Sequence, residues 1–435
     1  MTAEESKCNK QLIFATLGNC LECYDVTLYS FFATILAPLF FPSSKPHLSI
    51  LASFTAFALS MGARPIGGVI FGYIGDRYGR KYALKSSLFL IVLPTLAISF
   101  LPTYEDIGAI ATTILIICLF LQGLCVGGEY SGASVFIIEH TKEKKPGFWG
   151  SILISSGFLG SLLGTLISYW SIKYLDLNWG WRFPFLVGGV MGIIGFQRSY
   201  KLQETPDFQK IIDNNSNLKK PIFEVFKKYP LNFLCVICVG GASFIPLYIS
   251  TTYLGSILSQ ILNTSPSQVM LFYSATISIY LIFLPIMGFL ADYLGAKKVM
   301  ITGALSIIVF TGPVFSLLNS KTLTAVIATQ LILSFLSTIF IGPSILLKAS
   351  LFPTAARNSA LGVGYNLGAA IFGGTSPLIC TSLVNWANDY RAAGFYAIFG
   401  GALGLMGVLF SRKIDDSFEK NLPNTLSSKK IFASY

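Results

Sequence analysis

Gly72-Tyr73-Ile74-Gly75-Asp76-Arg77-Tyr78-Gly79-Arg80-Lys81 closes one long apolar stretch and precedes another. Roughly half a chain later the pattern returns as Gly288-Phe289-Leu290-Ala291-Asp292-Tyr293-Leu294-Gly295-Ala296-Lys297. Gly, Asp, Gly and Lys recur in the same register, again between apolar segments. A charged turn that occurs once per half points to a duplicated membrane bundle.

The rest of the chain agrees with that reading. Its 435 residues are 53% hydrophobic and only 12% charged, with a mean hydropathy of +0.66, well outside the range of a water-soluble domain. Apolar segments run over residues 12–39, 50–74, 82–101, 107–139, 148–174, 181–196, 229–257, 268–290, 299–318, 323–347, 356–384 and 392–410. Each can cross a bilayer as a helix, and in lipid a helix satisfies its own backbone groups. The expected fold is an all-α membrane protein, with twelve transmembrane helices in two pseudo-symmetric six-helix bundles. Residues 1–200 form the first bundle, 201–228 a polar linker, 229–411 the second bundle and 412–435 a polar tail. Within the fifth segment Gly160 and Gly164 have the spacing that lets two helices approach closely. The first segment carries Glu22 and Asp25 and has no small-residue cleavage site, so it is expected to remain as a spanning helix.

The net charge of +11 would suggest nucleic acid in a soluble protein. Here, with twelve spans, 25 of the 31 Lys and Arg residues fall in the loops and termini of one face, and 5 on the other. That asymmetry predicts that both termini are cytoplasmic in a multi-pass protein. Nucleic-acid binding is not expected, because no basic groove with interleaved aromatics is present. The pairs Cys20/Cys23 and Cys235/Cys238 lie in apolar segments with no nearby His, so they read as small packing residues rather than a metal or redox site. His47 and His140 are expected in loops near helix ends.

Charges inside the apolar segments are the strongest functional signal, since each costs roughly 2.5–3.5 kcal/mol to insert at mid-membrane. They are Glu22 and Asp25 in the first segment, Arg64 in the second and Glu129 in the fourth. Glu22 and Asp25 are three apart and share a helix face, so their repulsion favours holding a proton. Arg64 either neutralises one of these acids as a buried ion pair or meets a substrate. Asn19, Tyr24, Tyr29, Gln122 and Tyr130 are near enough in sequence to line a polar cavity with them. A second group, Gly72, Asp76, Arg77, Arg80, Glu139 and the repeat's Asp292, reads as a gate at the cytoplasmic end. In it Gly72 and Gly75 admit a neighbouring helix, and Asp76 caps that helix's positive N-terminus. The spacing Gly362-x-Gly364-x-x-x-Gly368 follows no strand and is not a nucleotide loop. No Walker-type phosphate loop, metal set or nucleophile triad stands out, so neither an enzyme nor a resident cofactor is expected.

Several stretches together resemble a known family. The turn at 72–81 is similar to the loop 2–3 signature of the major facilitator superfamily. Four further stretches narrow the resemblance to its metabolite:proton symporter family, most closely the proline/glycine-betaine transporters. They are Gly18-Asn19-Cys20-Leu21-Glu22-Cys23-Tyr24-Asp25, Arg64-Pro65-Ile66-Gly67-Gly68, Gly127-Gly128-Glu129-Tyr130-Ser131-Gly132-Ala133, and Trp179-Gly180-Trp181-Arg182-Phe183-Pro184-Phe185 followed by Glu204-Thr205-Pro206-Asp207-Phe208. The resemblance implies a symporter of the bacterial inner membrane that draws on the proton gradient to import a small organic solute. Its partners are then that solute, protons and the lipid bilayer, and it is expected to act as a monomer. Two departures stand out: Cys23 replaces an aromatic common in the family, and the tail has no heptad pattern, where some osmosensing members carry a coiled coil. An osmotic switch is therefore not among the expectations.

A zwitterion such as proline or betaine fits the charges read so far: Arg64 for its carboxylate, and Glu22 or Asp25 with the aromatic faces of Tyr24 or Tyr130 for its cation. A di- or tricarboxylate would want more buried positive charge than Arg64, and remains the alternative substrate. Export is disfavoured because exporters of this superfamily carry a Gly-Pro motif in the fifth helix, and no proline lies between Pro146 and Pro184. A non-transporting membrane sensor would be expected to carry a large soluble domain, and none is evident.

Overall fold

The computed structural model describes residues 3–141, 145–213, 221–261 and 266–412. The loop residues Lys142 and Lys144, the linker residues Lys219 and Lys220, and the tail from 413 lie outside the described residues. The described chain is helical, with no strand among the described residues. The long helices are α1 (Ala3–Phe40), α2 (Pro46–Arg77), α3 (Arg80–Phe100), α4 (Ala109–Thr141), α5 (Pro146–Tyr174) and α6 (Arg182–Ser199). After the linker come α7 (Pro230–Tyr248), α8 (Pro266–Leu294), α9 (Ala296–Ser316), α10 (Leu323–Ile341), α11 (Ser344–Ser350), α12 (Arg357–Gly368), α13 (Ser376–Ala387) and α14 (Ala392–Phe410). Among the described residues, ten helical stretches are long and apolar enough to cross a membrane. Their outward faces carry exposed Phe100, Ile110, Leu271, Val309, Phe395 and Phe410, as a lipid-facing surface requires. The chain is a multi-pass membrane protein.

The twin turns are built alike. Tyr78 caps α2, and Gly79 then turns the chain into α3 with φ +124°; Gly295 does the same between α8 and α9 with φ +90°. Side chains rarely adopt such φ values, so the repeated glycine is a geometric requirement of the repeated turn.

Helices α1 to α6 pack mainly on one another, with α4 against α2 and α3, and α5 against α1. Helices α7 to α14 do the same, with α14 against α7 and α9. Two seams join the sets: α2 against α12, and α5 against α8. At the end carrying the twin turns, one continuous core runs through both sets, from Leu12, Ile138 and Leu153 to Ile345, Leu361 and Val408. Towards the opposite end the core divides in two: Leu28, Phe32 and Phe185 belong to the first set, Ile249, Leu254 and Phe315 to the second. The sets are thus closed upon each other at the turn end.

The small residues of α5 act as their spacing predicts. A Cβ on Gly160 would strike the Cys20 carbonyl of α1, and one on Gly164 would lie 3.3 Å from the Tyr24 carbonyl. Cys20 is buried on this face, and Cys23 borders Gly157. Gly160→Leu should overpack the α1–α5 contact by about 1–3 kcal/mol, and a lowered melting temperature of the detergent-solubilised protein would register it. An unchanged melting temperature would mean that the contact is slack.

Two local expectations change. His140 closes the last turn of α4 rather than lying in a loop, with its ring 4.2 Å from Phe136. His47 likewise lies in the first turn of α2 rather than in a loop, and the polar linker contains helices Pro206–Asp213 and Pro221–Lys228.

Candidate functional site

The buried charges fall into three groups. The first lies at the turn end. The Asp76 carboxylate accepts hydrogen bonds from the backbone N–H of Asn358 (3.1 Å) and Ser359 (2.8 Å), in the first turn of α12. A carboxylate there meets the positive end of the helix dipole and its free amides. Gly72 makes the approach possible, because a Cβ on it would lie 2.7 Å from the Ser359 Cα. Arg80 is fully buried and donates to Asp76 (2.7 Å), Glu139 (3.4 Å), the Thr354 carbonyl (2.5 Å) and the Gly75 carbonyl. Glu139 also binds Arg357 (3.0 Å) and accepts from the Thr205 hydroxyl (2.6 Å). Glu204 accepts from the backbone N–H of Arg80 (3.0 Å) and Lys81 (3.3 Å), at the start of α3. Burial pushes its carboxyl above the usual carboxylate range, against the downward pull of the Thr205 amide, the Arg80 charge and the amides of Lys81 and Arg80.

Of the residues expected at a gate, Gly72, Asp76, Arg80 and Glu139 are therefore brought together. Arg77 is not among them: it is exposed and donates to the Tyr73 hydroxyl at 2.5 Å. One residue turns a helix by about 100°, so the neighbour of an inward acid points out. Asp292 forms a separate, matching contact on the other seam, accepting from the backbone N–H of Gly147 (2.7 Å) and Phe148 (2.9 Å) in the first turn of α5. Thr205, Glu204 and Arg357 complete the first cluster, and none was singled out for it from the sequence. Arg357 was counted there as a loop charge.

The second group is the acids of the first helix set. Asp25 accepts from the Thr95 hydroxyl (2.6 Å), which in turn accepts from Gln122 (3.0 Å), while its Oδ1 has no partner. Glu129 accepts from the Ser87 hydroxyl, and its Oε1, unpartnered, occupies the space left by Gly18. Glu22 is buried, with its Oε2 unpartnered. Arg64 is buried with its Nε unpartnered, and among the described residues it makes no ion pair within 4.0 Å. It is nonetheless close enough to Glu22 for their charges to interact, as are Asp25 and Glu129. The buried ion pair weighed for Arg64 is thus not formed. Asn19 is tied to α5 by the Leu153 carbonyl (2.7 Å) and Ser156 (3.2 Å). The Tyr24 hydroxyl donates to the Pro184 carbonyl (2.8 Å), and Tyr29 pairs with Ser53 (3.0 Å). These three side chains hold helices of the first set together rather than facing the second.

The third group sits between the sets. Tyr130 of α4 stacks on Tyr365 of α12, with ring centroids 4.4 Å apart. Lys348, counted from the sequence as a loop charge, is buried here: its Nζ lies 3.3 Å from the Tyr130 hydroxyl and 3.9 Å from the Tyr365 ring centroid. The interruption at Gly342-Pro343 separates α10 from α11 and brings α11 against α4 and α5. A sequence signal existed: Lys348 is flanked by Ile345-Leu346-Leu347 and Leu351-Phe352, more apolar than a loop lysine's surroundings.

Known proteins place this arrangement. A family model described as sugar (and other) transporter matches residues 11–224, and one described as major facilitator superfamily matches residues 233–433. The proline/betaine transporter of Escherichia coli (strain K12) is 32% identical over 416 residues, covering 93% of this chain and 83% of that one. The chain belongs to the major facilitator superfamily. A second relative, the glycine betaine/proline/ectoine/pipecolic acid transporter OusA of Dickeya dadantii (strain 3937), is 31% identical over 423 residues, covering 94% of this chain and 84% of that one. Among solved structures, the proton:xylose symporter XylE bound to 6-bromo-6-deoxy-D-glucose aligns with a TM-score of 0.79 at 18% identity, covering 93% of this chain and 95% of that one. XylE from E. coli in an inward open conformation aligns with a TM-score of 0.65 at 19% identity, covering 98% of each. These two likenesses establish the major facilitator fold. The chain is a transporter of that fold and not an enzyme.

Proposed function

We propose that the protein imports a small zwitterion of the proline/betaine class together with protons, across a bacterial inner membrane, by alternating access. The observation that carries this reading is the 32% identity, over 93% of the chain, to a protein named as a proline/betaine transporter. The site chemistry is compatible with it: buried cations without carboxylate partners suit a substrate carboxylate, and the stacked tyrosines suit an ammonium. An isolated carboxylate in a dry interior is costly, and taking up a proton relieves that cost, so Glu22, Asp25 and Glu129 are the proton-handling candidates. Arg64 and Tyr130 are the substrate-facing residues, with Asn19 and Tyr24 acting through the placement of α1.

On this reading twelve helices cross the membrane in two related six-helix halves, residues 1–200 and 229–411. The linker 201–228 and both termini are cytoplasmic, and the cluster of Asp76, Arg80 and Glu139, with Asp292 on the other seam, is the cytoplasmic gate. The gate is closed, so the conformation is one shut towards the cytoplasm. The protein acts as a monomer, driven by the proton gradient without a cofactor.

Lys348 favours a second reading. With Arg64 it gives two buried cations where the sequence argument counted one, and this is the extra positive charge a dicarboxylate would want. Radiolabelled proline, betaine, 2-oxoglutarate, citrate and shikimate, offered to proteoliposomes with a pH electrode in the bath, separate the two. We expect proline or betaine uptake with alkalinisation of the bath. Zwitterion uptake without proton movement removes the coupling, and uptake of the acids alone transfers the assignment to them.

A further inference from the structure

We propose that Lys348 is a carboxylate-binding residue of the translocation site, contributed by the second helix set; this deepens the reading above and rests on it. Its side chain is 2% exposed and lines a small cavity with Tyr130, Ser131, Ser134, Leu361 and Tyr365. Among the described residues no carboxylate lies within 4.0 Å of its Nζ. What it has instead is a tyrosine hydroxyl at 3.3 Å and ring faces at 3.9 and 5.3 Å.

Those contacts return less than an ammonium loses on leaving water. The buried cations of the gate show what a purely structural charge looks like in this protein. Arg80 has two acids and two carbonyls, and Arg357 has Glu139. Among the described residues Lys348 has neither, although it is about as deeply buried as they are. An anion entering the seam supplies the missing partner.

Position argues the same way. Tyr130 comes from the first set and Tyr365 from the second, so the pair must part when the seam opens, and Lys348 stands at its edge. Arg64 is also close enough to Tyr365 for its charge to be felt there. Both buried cations are therefore neighbours of this tyrosine. A substrate carboxylate drawn to Lys348 places its ammonium against the ring faces, and it links the two helix sets through cargo rather than through a protein ion pair. Differential affinity of this kind is what allows a ligand to shift a conformational equilibrium.

The test compares two ligands of similar size, glycine betaine and choline, in which an alcohol replaces the carboxylate. Each competes for proline uptake in proteoliposomes. In the unmodified protein betaine should compete better. Lys348→Met should weaken betaine by about thirtyfold, the loss of a charge-assisted hydrogen bond, and leave choline within about threefold. Lys348→Gln keeps a donor for Tyr130 and should behave as Met does, whereas Lys348→Arg keeps the charge and should retain most of the discrimination. If betaine and choline shift in parallel, or neither shifts, the proposal is overturned. It is also overturned if the Arg variant loses discrimination as fully as the Gln variant, which would place the role in packing. If the unmodified protein carries no zwitterion, the substrate reading fails on its own. The variants are then assayed with the acid it does carry, where unchanged affinity overturns the role of Lys348 and weakened affinity sustains it.

Discussion

Asp76→Asn is expected to release the turn end of the bundle and to abolish most uptake. The substitution removes the charge facing Arg80 and turns an amide N–H₂ towards the Asn358 or Ser359 N–H groups that the carboxylate now caps. Removing one partner of a buried pair costs about 3–5 kcal/mol, because the other charge stays buried. The loss falls on the closed arrangement, where α2 and α12 touch. A shift of that size moves a two-state equilibrium by more than about a hundredfold. On a cysteine-free background, Ser359→Cys is buried in the seam and should react slowly with a polar maleimide added from the turn side. Asp76→Asn should accelerate that labelling by about two orders of magnitude. Equal labelling rates with and without Asp76 would show that the contact follows closure and does not hold it.

Arg64→Met is the second large effect. Uptake should fall by about a hundredfold, the cost of losing a charge-assisted contact to a substrate carboxylate. The informative variant is the double one, Arg64→Met with Glu22→Gln. Because Glu22 is itself a proton-handling candidate, the double variant is read by substrate binding and melting temperature rather than by uptake. If Arg64 served only as a distant counter-charge to Glu22, removing both charges would restore both. If it meets the substrate, the double variant recovers stability and still binds weakly. Restored binding in the double variant would falsify the substrate role.

These effects rest on features that were unequally visible in the chain. The twin turns were legible because glycine at positive φ and a capping acid leave a local trace, and Asp76 lies over a helix end as its spacing suggests. The Gly160 contact was legible for the same reason. Lys348 and Arg357 were not, because the apolar segment 323–347 runs on past the break at Gly342-Pro343 and stops one residue short of Lys348, which leaves both cations to be counted with a loop. A sequence window cannot see that α11 turns back against α4. The spacing of Glu22 and Asp25 was read correctly as one broad face, yet it leaves their directions about 60° apart. That offset is enough to send Asp25 to Thr95 of α3. Thr205 lies 66 positions from its partner Glu139, so no local pattern could pair them.

The crossed capping contacts have a kinetic consequence. Asp76 extends from an early helix onto a late one, and Asp292 extends from a late helix onto an early one. A motion that draws the two groups of helices apart must pull both acids off their amides in one stroke. Half-opened forms keep one contact strained without gaining access, so they should be sparsely visited. Relaxation between the two arrangements should then follow a single exponential, and loss of either acid should speed it in the same sense.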